Sequence, residues 1–170
     1  MPYRKKGVKV TVELLDDILN DVVEKFYSSD APLYLKKKLT HIQPIFCVTR
    51  RRKCNLIGSA WAVGCSYKKD AVKNQLKLNK NTHPTIILDG DYYFLIIKIN
   101  KGAFRGITRR GLRYLVAHEL AHILQIVVDE EVDDNYSYST ANDHDAKWLK
   151  YTKWMGGTGS ELIPPEEIWV

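Results

Sequence analysis

One stretch of the chain, residues 108–128 (TRRGLRYLVAHELAHILQIVV), constrains the fold more than any other. Its apolar residues are spread nearly all round a helical projection, and such a helix is stable only when the rest of the chain covers it. Thr108 stands where a side-chain oxygen can cap the first turn. The stretch therefore predicts a long central helix that is buried on most of its surface.

This helix carries the sequence HELAH, with His118 and His122 four residues apart and Glu119 directly after the first histidine. Residues at that spacing lie above one another on one helix face, so both imidazoles can bind one metal ion. Glu119 flanks this face and can reach a water bound to the metal. Two core histidines with satisfied hydrogen bonds are the competing interpretation. Burying two imidazoles and a carboxylate together is costly unless they are paired or coordinated, and we favour the metal site.

A catalytic zinc ion needs a third protein ligand and keeps one position open for water. Metzincins take that ligand from a histidine at the place of Val128, after a glycine at the place of Gln125, so that class is excluded. His144 is the favoured third ligand, with Asp143 and Asp145 as competitors. An aspartate on the metal in place of water would indicate a structural zinc instead.

The remaining histidines and the nearest acidic residues are weaker candidates. Glu130 and Glu131 come directly after the helix and begin an acidic loop, where contact with solvent is the expected role. His41 and His83 stand beside loop signals, and we interpret both as surface or structural residues.

The rest of the chain predicts an α+β domain. Residues 11–27 form an amphipathic helix with Thr11 as N-cap. The other predicted elements are a short helix over 33–39, strands over 44–49, 56–66 and 76–79, and a last helix from 144 to Gly156. Residues 85–100 contain Asp89-Gly90 as a candidate hairpin turn, although YYFLIIKI in this segment also suits a helix.

The formal net charge is +6, and the basic residues occur in clusters. The clusters are YRKKGVK at 3–9, KKK at 36–38, RRRK at 50–53, KK at 68–69 and TRRGLR at 108–113. A single basic run is usually a solvated surface, but several on one small domain can attract a polyanion. DNA is therefore a candidate partner.

The sequence also predicts the compartment. No apolar run reaches the roughly 20 residues that a membrane span requires, and the N-terminal residues lack the features of a signal peptide. Cys47, Cys54 and Cys65 match neither a disulfide framework nor a CxxC zinc motif. We expect an intracellular protein, cytoplasmic or nuclear, with no membrane partner.

With these residues in view, the chain resembles the SprT-like family of zinc metallopeptidases, which includes the Spartan-type DNA-protein crosslink proteases. The resemblance covers most of residues 11–155. It is carried by GSAWAVG at 58–64, LKLNKN at 76–81, AHELAHIL at 117–124 and HDAKW at 144–148. The family usually has glycine after the third histidine, where this chain has Asp145, so the chain looks like a divergent member.

The resemblance implies a zincin-like fold over residues 1–157, followed by an irregular tail over 158–170. This fold has an N-terminal helix, a small and mostly antiparallel sheet, a central HExxH helix and a C-terminal helix. The Zn²⁺ ligands that it implies are His118, His122 and His144. It also implies that Glu119 is the general base of an endopeptidase that acts on DNA-associated proteins. A zinc-stabilised nucleic-acid-binding module without proteolytic activity is the alternative.

Overall fold

The computed structural model describes residues 7–65, 73–74, 77–79, 81–88, 91–132 and 144–170. Within these residues the complete helices are α1 (Val12–Tyr27), α2 (Leu33–Thr40), α3 (Arg109–Val132) and α4 (Ala146–Trp154). The strands are β1 (Ile45–Thr49), β2 (Gly58–Cys65), β3 (Ile86–Leu88), β4 (Asp91–Asn100), β5 (Gly106–Ile107) and β6 (Ile168–Trp169). The predicted α+β class is confirmed.

Helix α3 lies at the centre of the fold and packs against α1, β2 and α4. Its buried apolar side chains include Leu112, Leu115, Val116, Leu120, Ile123, Leu124 and Val127. The Thr108 hydroxyl accepts the Gly111 N–H at 3.0 Å, so the predicted cap is present. The prediction of a buried central helix is confirmed. No helix in the described part of the chain is long and apolar enough to cross a lipid bilayer.

The main sheet is built around β4. Strand β2 pairs antiparallel along one edge of β4, and the other edge is shared by β3, which is antiparallel, and β1, which is parallel. The sheet is therefore mixed rather than simply antiparallel, because the chain crosses over between β1 and β4 through the two other strands. The segment YYFLIIKI belongs to β4 and is not a helix. Its consecutive buried residues Phe94, Leu95, Ile96 and Ile97 are typical of a strand covered on both faces.

Two further local predictions fall in this region. The predicted strand over 76–79 is wrong for its described residues 77–79, which are not in a strand. Lys77 has a φ of 55°, a left-handed conformation that a continuing strand excludes. The candidate turn Asp89-Gly90 lies outside the described residues, although Leu88 and Asp91 on either side of it are paired across β3 and β4.

The first two helices form where the sequence predicts them. In α1 the Thr11 hydroxyl accepts the Leu14 N–H at 3.1 Å and caps the helix. The buried face of α1 consists of Leu15, Ile18, Leu19, Val22 and Phe26. Helix α2 follows after Pro32.

The C-terminal residues are more regular than their sequence suggests. The tail is irregular only up to Pro164, after which Pro165–Glu167 form a 3-10 turn and β6 pairs antiparallel with β5. The buried Glu167 accepts the Thr108 N–H at 2.9 Å through its backbone carbonyl, and its carboxylate accepts the Thr108 hydroxyl. A Cβ atom at Gly111 would lie 2.7 Å from that Glu167 carbonyl. These contacts hold the tail against the start of α3.

Candidate metal centre

The structure brings the three predicted ligand histidines together. His118 and His122 lie one turn apart on α3, and their Nε2 atoms are 3.3 Å apart. His144, just before α4, places its Nε2 atom 3.2 Å from that of His118. The ligand atoms of all three residues lie within 4.8 Å of one another, so the group can hold a metal ion.

Two of the three nitrogen separations match those of a tetrahedral zinc site. Zinc–nitrogen bonds of about 2.0–2.1 Å at tetrahedral angles place neighbouring nitrogens about 3.3 Å apart. The separations of 3.3 Å and 3.2 Å from His118 agree with this value. Three imidazole nitrogens on one side of such a site leave a fourth position for water or substrate.

Hydrogen bonding among the imidazoles does not explain the arrangement equally well. A neutral imidazole Nε2 carries either one proton or one lone pair, so it forms one good hydrogen bond. The Nε2 of His118 faces both His122 and His144 at nearly the same distance. A metal ion satisfies all three nitrogens at once, whereas a hydrogen bond satisfies one pair.

Trp148 of α4 packs against all three imidazoles. Its indole is 1% exposed, and the centres of its rings and those of His118, His122 and His144 lie 4.8, 5.6 and 4.7 Å apart respectively. Its Nε1–H donates to the His118 carbonyl at 3.2 Å. Its ring contacts both α3 histidines and His144.

Asp145 explains why glycine is not required after His144. Its φ of −75° and ψ of −175° describe extended backbone, which any residue adopts. Its Oδ1 atom accepts the Trp148 N–H at 3.0 Å and the Gln125 side-chain N–H at 3.0 Å. Asp145 is thus the N-cap of α4, and the helix begins two residues later than predicted from His144. The Oδ1 atom of Asp145 thus already accepts two hydrogen bonds.

Glu119 lies beside the imidazoles in a position shaped by β2. Its side chain is 4% exposed, and its Oε1 atom is 4.0 Å from the Nε2 of His118. A Cβ atom at Gly58, the first residue of β2, would come within 2.7 Å of Glu119 Oε1. Only glycine at position 58 leaves the carboxylate its present space. The base predicted from the motif is therefore next to the predicted ligands.

Burial keeps the two α3 imidazoles neutral. Desolvation, reinforced by the nearby His144, lowers the pKa of His118 to about 4. Desolvation also lowers the pKa of His122 to about 3, with added contributions from His118 and His144. Metal binding requires neutral imidazole. Near pH 7 both side chains already have the form that a metal ion needs.

A cleft of about 280 Å³ opens beside this cluster. Its walls come from the loop before β2, from α3, and from the tail residues 157–163. Leu56 and Leu162 on its rim are 59% and 77% exposed. Glu161 on the same tail places its Oε1 atom 3.5 Å from the Nδ1 of His144.

The motifs did not identify Glu161 or the cleft walls. Contacts between the tail and the centre are distant in sequence, and TGSELIPP contains no pattern that signals them. One local signal is present, since α4 ends at Trp154 and Gly156, two residues later, has a φ of 81° that turns the chain sharply. Sequence reasoning placed the tail outside the domain core.

The other candidate residues do not join the cluster in the described part of the chain. His41 and His83 are exposed, as predicted. Asp143 and the side chains of Glu130 and Glu131 lie outside the described residues.

The chain was compared with protein-family models, with curated proteins and with solved structures. None of the three comparisons found a match. The resemblance to the SprT-like family stays a prediction that rests on the motifs.

Proposed function

We propose that the chain is a zinc-dependent endopeptidase of the SprT-like type, with Glu119 as its general base. The observation that carries the proposal is the convergence of three imidazole Nε2 atoms next to a buried carboxylate at an open cleft. The proposed zinc ligands are His118, His122 and His144. DNA-associated proteins are the substrate class that the family resemblance suggests.

Zinc fits this donor set. Imidazole nitrogens in tetrahedral arrangement are common zinc ligands, and three of them with one open position are typical of catalytic rather than structural sites. A zinc ion bound there lowers the pKa of its water to about 7 and polarises a substrate carbonyl.

Glu119 is suited to move the protons of the reaction. Its Oε1 atom lies 4.0 Å from the Nε2 atom of His118, close enough to the proposed ligand nitrogens to contact a water held there. It takes the proton from that water and delivers it to the leaving nitrogen. Its side chain is 4% exposed and lies close to Gly58 of β2, so it works in a site that is largely shielded from bulk water.

The cleft provides a place for the peptide. It runs directly alongside His118, Glu119 and His144. Apolar residues of the loop before β2 and of the tail line part of it, among them Leu56, Ile57 and Ile163. A polypeptide lying in the cleft would bring a backbone carbonyl next to the imidazoles, with an apolar side chain against these walls.

Zinc content and hydrolysis of labelled casein test the proposal. Wild type should bind one zinc ion and cleave casein. Replacing the base by Glu119→Gln should keep the zinc and lower the turnover by about 10²- to 10⁴-fold. The matched control is Glu24→Gln, an exposed glutamate on α1, which should leave both quantities unchanged.

The alternative, a zinc-stabilised nucleic-acid-binding module, gives a different result in the same experiment. Zinc would bind and its removal would unfold the chain, but neither wild type nor Glu119→Gln would cleave protein. Full activity in Glu119→Gln with its zinc retained would remove this residue from the mechanism.

A further inference from the structure

A second concave surface, which we call the basic groove, lies outside the metal centre. It has a volume of about 740 Å³. Its basic lining residues are Lys9, Arg50, Arg52, Lys101 and Arg105. These residues come from the segment before α1, the turn after β1 and the segment between β4 and β5. Residues far apart in the sequence thus place five cations around one groove.

The charge of this groove is not balanced locally. No aspartate or glutamate is among its described lining residues. Two basic residues elsewhere do have carboxylate partners: Arg109 contacts Asp21 at 2.8 Å and Lys147 contacts Asp129 at 3.2 Å. Cations grouped without carboxylates repel one another, and a bound polyanion relieves that repulsion.

The backbone beneath the groove is held by one buried side chain, Asn100. Its Oδ1 atom accepts the N–H groups of Arg51 at 2.8 Å and of Gly102 at 3.0 Å. Its Nδ2 group donates to the carbonyls of Arg51 at 3.1 Å and Cys54 at 3.2 Å. A Cβ atom at Gly102 would lie 2.7 Å from the Arg51 backbone, so the two turns are in close contact. The turns that carry Arg50, Arg52 and Lys101 are therefore held in place before any ligand binds.

We propose that the basic groove binds the phosphate backbone of a nucleic acid. Three of its five cations are arginines, whose planar guanidinium groups match phosphate oxygens in a bidentate manner. A nucleic acid offers one negative charge on every nucleotide, so several cations along a groove can each meet a phosphate. The groove does not use the metal centre, and the inference does not depend on peptidase activity.

Only some of the basic residues that cluster in the sequence line this groove. Lys9, Arg50 and Arg52 belong to two of the sequence clusters, and Lys101 and Arg105 lie outside all of them. The lysines at 36–38 do not line the groove. Binding is therefore expected to depend on these particular cations and not on the net charge.

Fluorescence anisotropy with labelled oligonucleotides of roughly 20 nucleotides, single-stranded and duplex, tests the inference over about 50 to 200 mM salt. The variant Arg50→Glu/Arg105→Glu changes two exposed side chains of the groove. We expect its affinity for the oligonucleotides to fall at least about tenfold at the lowest salt. The slope of log affinity against log salt concentration should become shallower by about 2.

A charge-matched variant, Lys37→Glu/Lys150→Glu, makes the same change in net charge on exposed positions of α2 and α4. It should bind almost as wild type does. An equal loss in both variants, or no loss in either, overturns the inference. Equally tight binding of polyglutamate or of anionic lipid vesicles at the groove overturns the assignment to nucleic acid. Circular dichroism verifies that each variant is folded, and the milder Arg50→Gln/Arg105→Gln should give an intermediate loss.

Discussion

His118, Glu119 and His122 reach the candidate metal centre from a single buried helix, whereas His144 and Glu161 reach it from the chain that follows. The first group is fixed by helical geometry, since residues four apart must share a face. The second group is fixed by tertiary contacts: Asp145 caps α4, and the tail returns to line the cleft. The exposures differ as well, with Glu119 at 4% and Glu161 at 60%.

The reacting groups are placed by the secondary structure of one helix, whereas the residues that support them are placed by tertiary contacts. The helix determines where two ligands and the base lie. The chain after it determines whether the third ligand is held and what shape the cleft has. Changes in the first region should mainly remove catalysis or metal binding. Changes in the second region should mainly weaken the affinity for zinc, because they alter how His144 is positioned.

Trp148 joins the two regions, so its removal should have the largest effect. Trp148→Ala removes a fully buried side chain and should lower the free energy of unfolding by about 3–5 kcal/mol. Because its ring contacts all three imidazoles, zinc affinity should fall too. Urea unfolding and zinc titration measure the two effects.

The matched control is Trp154→Ala on the same helix. Trp154 stacks on Tyr151 and meets Phe26 edge to face, away from the imidazoles. It should lose stability and keep its zinc affinity. If both variants lost zinc equally, Trp148 would have no specific role in positioning the ligands.

The sequence predicts the first region well but only His144 of the second, and the reason is physical. Helical spacing depends only on residues that are close in sequence. The shared face of the HELAH side chains and the cap at Thr108 can therefore be predicted from the sequence alone. Strand β4 was ambiguous because a short apolar run suits a strand or a helix until its neighbours are known. Glu161 gave no signal, since its proximity to His144 depends on how the tail folds back.

The pKa values of the α3 histidines predict a pH dependence for the metal-free protein. The unfolded chain takes up protons below about pH 6.5, while burial keeps His118 and His122 neutral until pH values of about 4 and 3. Above pH 6.5 the two neutral histidines contribute fully to the free energy of unfolding. That contribution is lost as the pH falls from 6.5 towards their folded-state pKa values of about 4 and about 3. The loss approaches about 1.4 kcal/mol per pH unit for each histidine.

Urea unfolding with a chelator at several pH values between about 7 and 4 measures this loss. His122→Gln removes one of the two groups and should reduce the steepness of the decline. His41→Gln, at an exposed position, is the control and should not. An identical pH profile in His122→Gln and wild type would contradict the assignment.

Glu161 tests the second region by itself. A carboxylate near the free nitrogen of a ligand histidine orients the ring, and losing such a partner typically costs about 10- to 100-fold in metal affinity. The 3.5 Å separation is longer than a normal hydrogen bond, and the side chain is 60% exposed. Glu161→Gln should therefore weaken zinc binding by about tenfold, at the lower end of that range.

Glu166→Gln, an exposed glutamate on the same tail, provides the control for Glu161. Zinc affinity measured by competition with a chelator should separate the two variants. Equal affinities would make Glu161 an ordinary surface acid, and the positioning of His144 would then rest on Trp148 and Asp145.

The smallest effect on stability is expected from substitutions of Asp145. These substitutions distinguish two explanations for the presence of an aspartate after His144. If that place needed glycine for its backbone conformation, Asp145→Gly would relieve strain and raise stability. The φ of −75° removes that need, and the carboxylate caps α4 and accepts the Gln125 side chain. Asp145→Ala should therefore lower the free energy of unfolding by about 1 kcal/mol, and Asp145→Gly by less, because glycine is tolerated at an N-cap. Asp145→Asn should retain most of the cap. An increase in stability in Asp145→Gly, measured by urea unfolding, would show that the helix cap does not account for the aspartate.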